Sequence, residues 1–413
     1  MKPSRPVRRH CMVVHAYYPL GETRVERQAL ALRDAGVEVD VVCLRKPGEP
    51  PEEVVDGVAI HRLPVHRRKG SGTVTQFLEY LKFLVLALGR VAALHLRLRY
   101  AVVQVHNLPD SLVFAALVPR LAGAKVILDL HDLMPEFYAE RFGREPTSLA
   151  VRLIRVQERV ACAFADHIIT VTELWREALL ARGQPPEKIS VVMNVADERI
   201  FNASVIDDGA DQRSDGLRLI YHGNLDRRYG LDLAVKAIDL VRRELPDVHL
   251  TLHGGGEYRE TLEALIDQAN LHENIELSRD FVPTEALAKR IKAADVGLVP
   301  YRNGVFTGTI LPTKLMEYAA LGVPVIAART RTIAAYFDDS MVEFFTPGDA
   351  QELAERISRL YHDRERRAEL GRGISTFAER LSWRELGAEY VRLVERLSVA
   401  PSRSRRATGI RRG

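Results

Sequence analysis

Short apolar runs of strand length recur along the chain, and helical patterns separate most of them. Val7–His15 is rich in β-branched residues and runs into Tyr17-Tyr18-Pro19-Leu20-Gly21. A 3.6-residue periodicity follows from Thr23 to Ala35, and Gly36 stops it. Further strands are predicted at Val37–Leu44, Val58–Leu63, Ala101–His106, Lys125–Leu130, His167–Thr172 and Ile189–Met193. Short apolar strands alternating with helices specify a parallel sheet covered on both faces. Residues 202–216 are polar, acidic and glycine-bearing, a linker composition. The alternation then restarts at Leu217–His222, Val248–His253, Ile275–Leu277, Asp295–Pro300 and Pro324–Ala327. From about residue 349 the pattern is helical through to Val399. The expected organisation is α/β: a domain over 1–200, a linker over 201–216, a second domain over 217–380, a helix over 381–399 and a basic disordered tail over 400–413.

A chain of 413 residues exceeds what one core organises, which agrees with two domains. With 46% hydrophobic and 28% charged residues it is not a disordered protein. The net charge of +4 conceals an uneven distribution. Residues 1–10 and 400–413 hold basic residues and no acid, and 66–99 holds seven basic residues against Glu79 alone. The remainder is therefore net acidic, and the basic segments need a partner or an explanation. In 66–99 the charges accompany Phe77, Leu78, Leu81, Phe83, Leu84, Leu86 and Leu88, as in a helix resting on an anionic bilayer or one burying a core face. Basic and aromatic residues are not interleaved at the chain ends, so no nucleic-acid partner is expected.

Cys11, Cys43 and Cys162 are too few and too scattered for a disulfide framework or a zinc site. The basic N-terminus turns at once into strand alternation, unlike a signal peptide. The longest uncharged apolar stretch beside a basic cluster, Phe83 to Gly89, is far short of the about 20 residues of a membrane span. A cytoplasmic location is expected, with peripheral attachment to the inner face of the membrane through 66–99.

In open parallel sheets ligands bind beyond the carboxyl ends of the strands, where loops meet helix starts. Five such loops carry chemistry. In Thr307 to Tyr318, Pro312 is expected at the first helical position, with free N–H groups beside Thr309, Leu311 and Thr313 to receive a phosphate. Lys314 adds a charge, and Glu317 one turn on suits a vicinal diol. In Tyr221 to Gly230, after a strand ending at Gly223, Arg228 can neutralise a diphosphate. His131 and Asp132 follow a third strand, and His106 to Asp110 repeats that arrangement one strand earlier, with Asp110 able to cap a helix. Gly254, in His253-Gly254-Gly255-Gly256, lets backbone approach a ligand. No dinucleotide fingerprint or Walker motif is present, and no cluster of acids and histidines is spaced to bind a metal.

At these loops the chain resembles the retaining, nucleotide-sugar-dependent glycosyltransferases of family four. The resemblance covers Gly21, His106-Asn107-Leu108-Pro109-Asp110 and Leu128 to Glu136, then Tyr221 to Asp232, Asp295 to Pro300, and Pro312 to Tyr318 leading into Gly322 to Ile326. It implies the GT-B fold: two Rossmann-like domains facing across a cleft, with C-terminal helices packing back towards the N-domain. It implies donor contacts from Gly21, from the backbone around Leu311 to Thr313, and from Glu317 on the ribose, and contact of His131 with the transferred sugar. From their places in the loops, Gly223, Asn224, Gly254 and Thr309 are expected on the donor and His106, Asp110 and Asp132 on the acceptor side. The family often has Glu where this chain has Thr309, Arg where it has Asn224 and Lys where it has Tyr229. Arg228 and Lys314 are the expected substitutes for the lost cations.

The resemblance further implies same-face attack without an enzyme nucleophile, no bound metal and no cofactor, the nucleotide sugar being a substrate. The acceptor is expected to be a glycan, a lipid-linked molecule or a small molecule of cell-envelope or exopolysaccharide synthesis. Two other readings are a nucleotide-sugar epimerase of the same build, using His131, Asp132 and Glu136, and a non-enzymatic two-lobed binding protein.

Overall fold

The computed structural model describes residues 8–19, 22–66, 73–204, 206, 216–278 and 282–399. Two parallel-sheet domains make up the molecule. The first contains β1 (Arg9–Tyr17), β2 (Glu38–Leu44), β3 (Glu52–Val55), β4 (Val58–Leu63), β5 (Val102–His106), β6 (Lys125–Leu130), β7 (His167–Thr170) and β8 (Ile189–Val191). Their order in the sheet is β3-β4-β2-β1-β5-β6-β7-β8, and only β3 runs antiparallel to its neighbour. The second contains β9 (Leu217–His222), β10 (Val248–His253), β11 (Ile275–Ser278), β12 (Val296–Val299), β13 (Val325–Ala328) and β14 (Glu343–Phe345), all parallel, in the order β11-β10-β9-β12-β13-β14.

Successive side chains of a strand point to opposite faces, and both faces of the first sheet are covered. Cys11 and Val13 of β1 enter one apolar cluster with Val103 and Leu128, while Met12 and Val14 enter another with Val41 and Ile127. Strands apolar on both sides read as continuous runs, so twelve of the fourteen were visible in the sequence. The two that were not are short. Edge strand β3 is Glu-Glu-Val-Val with its side chains largely exposed, and β14 has only three residues. All three cysteines are buried, and burial pushes the Cys43 thiol up to about 12.

The helical C-terminal region divides into three. Helices Ala350–His362 and Arg364–Arg380 close the second core through Leu353, Ile357, Leu360, Leu370 and Ile374. Helix Trp383–Ser398 crosses to the first domain, where Tyr390, Leu393 and Val394 join the cluster around β1. There the Tyr390 hydroxyl donates to Gln104 Oε1 at 2.7 Å. Ser382 caps this helix, and the Trp383 N–H donates to Glu198 Oε1 at 2.7 Å, so the two crossings of the chain touch. The tail 400–413 and residues 205 and 207–215 of the acidic stretch between the domains lie outside the described residues.

The helix expected within 66–99 spans Thr73–Leu98 and has two apolar faces. Phe83, Ala87, Val91 and Leu94 are core, whereas Phe77, Leu78, Leu81 and Val85 are exposed. Residues 67–72, including Arg67, Arg68 and Lys69, lie outside the described residues. Among the described residues no helix is long and apolar enough to cross a membrane.

Candidate active site

The carboxyl ends of the central strands of both sheets face a cavity of about 360 Å³ between the domains. On the second-domain side, Leu311, Pro312 and Thr313 line it at the start of helix Thr313–Leu321. Pro312 is the residue before the helix, not its first residue as expected, and no side chain caps the helix. Its first N–H groups, at the positive end of the helix dipole, therefore sit in the cavity wall.

Lys314 points inward from the first turn. Its ammonium donates to the Tyr301 hydroxyl at 2.7 Å and lies 4.6, 5.2 and 4.8 Å from the ring centroids of Tyr221, Tyr229 and Tyr301. Gly223 lies beside it with φ of +117°, which disfavours any side chain there. Burial brings the Lys314 ammonium down to about 7, and Glu317 opposes that shift. Burial raises Glu317 in turn to about 7, against Lys314 and Arg27. The Glu317 carboxylate lies 3.3 Å from His222 Nε2, and burial and Lys314 hold that imidazole neutral. Two ionisable groups thus face the cavity with few partners.

The first-domain side is built differently. Burial alone would raise Asp129, yet Arg24 and the adjacent histidines hold it well below the usual carboxylate range. Arg24 grips it through Nη2 at 2.9 Å and Nε at 3.3 Å, and Gln28 and Gln104 each donate at 3.0 Å. His106 Nδ1 lies 3.4 Å from Asp129 and 3.0 Å from His131 Nε2. The His131 N–H donates to Asn107 Oδ1 at 2.7 Å. His131 therefore lines the cavity with its backbone and Nε2 fixed. Burial takes its ring down to about 3, so it is neutral and acts by hydrogen bonding. Asp132 also lines the cavity, and burial pushes it up to about 7 against the pull of Arg228.

The structure gathers His131, Asp132, Gly223, Asn224, Leu311, Thr313, Lys314 and Glu317 around one cavity. Other expected residues stand elsewhere. His106 and Asp110 are fully buried, so neither has surface to offer an acceptor. His106 lies beneath His131, and Asp110 accepts from Asn107 Nδ2 at 2.9 Å instead of capping a helix. Gly254 is held against backbone: a Cβ there would lie 1.9 Å from the Gly223 carbonyl oxygen. The Thr309 hydroxyl is spent on the Phe306 carbonyl at 2.8 Å. Arg228 is paired with Asp226 at 2.6 Å and borders a neighbouring pocket. Glu136 pairs with Arg182, which also binds Glu158 at 2.6 Å, so it is not free for acid–base work. Gly21 lies outside the described residues.

Several residues escaped the sequence reading. Arg24 and Arg27, three apart on one face of helix Thr23–Asp34, are both buried; Arg24 donates to Asn194 Oδ1 at 2.9 Å, and Asn194 lines the cavity. Two arginines on the inner face of an amphipathic helix were the available signal. Trp175 and Phe306 also line the cavity. Phe306 belongs to the second domain yet packs 5.3 Å from Phe137, and Glu140 accepts the Phe306 N–H at 2.8 Å. Gly304 lies beside it, and a Cβ there would stand 2.0 Å from Glu140 Oε2 and so displace that carboxylate.

Folding also brings together His106, Asp129 and His131, with ligand atoms within 4.8 Å, although no such cluster is spaced in the sequence. The set does not suit a metal ion. Its one carboxylate is already neutralised by Arg24, and its two imidazoles are bonded to each other.

With this geometry in view, two family models match the chain: a glycosyl transferase 4-like domain over residues 21–194 and glycosyl transferases group 1 over residues 207–375. An amylovoran biosynthesis glycosyltransferase from Erwinia amylovora is 27% identical over 197 residues, 47% of each chain. The chain thus spans about half the length of the curated relatives it matches first. Among solved structures, a sucrose-phosphate synthase from Thermosynechococcus elongatus superposes with a TM-score of 0.77 at 21% identity, covering 94% of this chain and 99% of that one. The Anabaena HepE protein in complex with UDP-glucose gives 0.69 at 16% identity, covering 94% and 99%. Two matched domains in sequence order and one shared architecture lead to a single assignment: the chain belongs to the family-four glycosyltransferases of GT-B fold.

Proposed function

We propose that this protein transfers a sugar, with retention at the anomeric carbon, from a UDP- or GDP-sugar to an acceptor in cell-envelope or exopolysaccharide synthesis. One observation carries the reading. An uncapped helix start, a caged ammonium at Lys314 and a half-buried carboxyl at Glu317 converge on one cavity wall, and these groups match a diphosphate and a ribose. The match to a structure holding UDP-glucose and the name of the Erwinia relative support the donor class and the pathway.

In the proposed step the anomeric C–O bond to the diphosphate breaks and the acceptor hydroxyl oxygen bonds to the anomeric carbon from the same face. The acceptor proton passes to the leaving phosphate oxygen. Charge develops on the diphosphate, where Lys314 and the helix N–H groups are already aimed, so stabilisation requires no reorganisation. Neutral His131, held at Nε2 by His106, keeps Nδ1 for a hydroxyl of the transferred sugar. Glu317 orients the ribose. The positive charge comes from the chain itself, so the proposal invokes neither a metal nor a cofactor.

Thermal shift against UDP-, GDP- and ADP-sugars tests it. One nucleotide class should stabilise the protein, and Glu317→Ala should cut that affinity by about tenfold to a hundredfold, the value of a lost charged hydrogen-bond pair. No shift with any donor, or an unchanged one in the variant, would sink the reading.

A further inference from the structure

Beside the donor cavity, on the first domain, lies a second pocket of about 280 Å³ with an apolar wall. Helix Thr73–Leu98 contributes Phe77, Tyr80 and Leu84, helix Met134–Arg141 contributes Phe137, and helix Leu149–Phe164 contributes Ile154. Phe137 lines this pocket and the donor cavity alike, so the two are neighbours. The volume falls below the roughly 300–1,000 Å³ of pockets that enclose a whole small molecule, and suits a segment of chain.

The surface around it is more unusual. Leu149, Leu153, Val156 and Val160 fall on one stripe of their helix and are 72%, 61%, 57% and 50% exposed. Phe77, Leu78, Leu81 and Val85 form the matching stripe across the pocket. Large apolar patches of this kind mark contact surfaces. The charges of both helices are sorted as well. Their acids turn inward, Glu79 to His15 at 3.3 Å and Glu158 to Arg182 at 2.6 Å. Lys82, Arg152, Arg155 and Arg159 stay exposed. Between this surface and the second domain a further pocket shares Arg141 and Phe142 with the apolar one; its Arg141, Arg228 and Arg302 are paired with Glu257, Asp226 and Asp232, and Arg227 is exposed on its rim.

We infer that the acceptor is an amphiphile held in an anionic bilayer: an apolar chain joined through phosphate to the group that receives the sugar. The two helix stripes rest on the lipid with Lys82, Arg152, Arg155 and Arg159 towards its anionic headgroups, the apolar pocket takes a segment of the chain next to the headgroup, and exposed Arg227 on the adjoining rim meets the phosphate. The inference rests on the transfer reading above and narrows its acceptor to one chemical class. It also extends the lipid-facing surface beyond residues 66–99 to helix Leu149–Phe164, whose arginines and stripe alternate on one exposed side.

Vesicle co-sedimentation of the full chain tests the surface. Wild-type protein should pellet with phosphatidylcholine–phosphatidylglycerol vesicles, less at high salt, and the double variant Leu153→Asp, Val156→Asp about tenfold less or lower still. Both positions are exposed, and an unchanged UDP-induced thermal shift would show that the variant is folded. No pelleting by the wild type, or equal pelleting of the two, overturns the inference. A second arm tests the pocket. Decyl phosphate below its micellar concentration should stabilise the wild type, and Ile154→Trp, which fills the pocket, should abolish that shift. Equal stabilisation by inorganic phosphate would mean that the chain is not read, and the inference falls. Absence of a shift with any nucleotide sugar in the wild type, with vesicle and decyl phosphate binding intact, strikes the transfer reading and leaves a lipid-phosphate site that is not an acceptor site.

Discussion

The two walls of the cleft hold similar residue types in opposite conditions. On the first-domain wall, Asp129 is buried with Arg24, Gln28, Gln104 and two histidines arranged round it, and its charge is met from every side. On the second-domain wall Lys314 is buried and Glu317 half-buried, neither is bonded to a group of opposite charge among the described residues, and burial drives both towards 7. A charge that the protein has already satisfied is scaffold; one left poorly satisfied in a cavity is addressed to something that binds there. The wall proposed to position the sugar should therefore carry stability, and the wall proposed to hold the nucleotide should cost some.

The strongest attempt to break this contrast is Asp129→Ala. It strands the Arg24 guanidinium in the interior and should cost about 3–5 kcal/mol in urea unfolding, as loss of one partner of a buried ion pair does. A cost under about 1 kcal/mol would show that the wall is not scaffold.

Glu317→Gln should behave the other way. The folded carboxyl keeps its proton up to about 7, whereas the unfolded one releases it near 4.5, so wild-type stability falls as pH rises between those values. The variant should lose that slope and gain about 1–3 kcal/mol at pH 8, while binding nucleotide more weakly. Identical pH profiles would remove the claim that the nucleotide wall stores unfavourable charge.

The smallest and sharpest test is Tyr301→Phe. It removes the hydroxyl bonded to Lys314 but keeps the aromatic cage, and should weaken UDP affinity by the about 0.5–1.5 kcal/mol of one hydrogen bond. Loss of stability with unchanged affinity would make Tyr301 a packing residue only.

The contrast also explains what the sequence disclosed. Strand positions were legible because parallel strands must be apolar on both faces, and β3 escaped because an exposed edge need not be. Loops at strand ends pointed to His131, Lys314 and Glu317, since chemistry there follows from topology. Whether a residue reaches the cavity was not legible. His106 and His131 follow neighbouring strands in similar contexts, yet one is fully buried beneath the other, a difference of depth that spacing does not encode. Arg24 and Asp129 are 105 positions apart, and only the fold makes them one group. The tyrosine cage had the same character: Tyr229 read as the loss of a cation, but its ring stands against a lysine supplied from a helix some eighty residues further on.

The contact between Glu198 and Trp383 has a mechanical meaning. The chain passes from the first domain to the second near residue 198 and comes back near 383, with the two passages side by side. A single tether acts as a ball joint, leaving the lobes to swivel freely. Two adjacent tethers make a door hinge, which leaves one easy rotation.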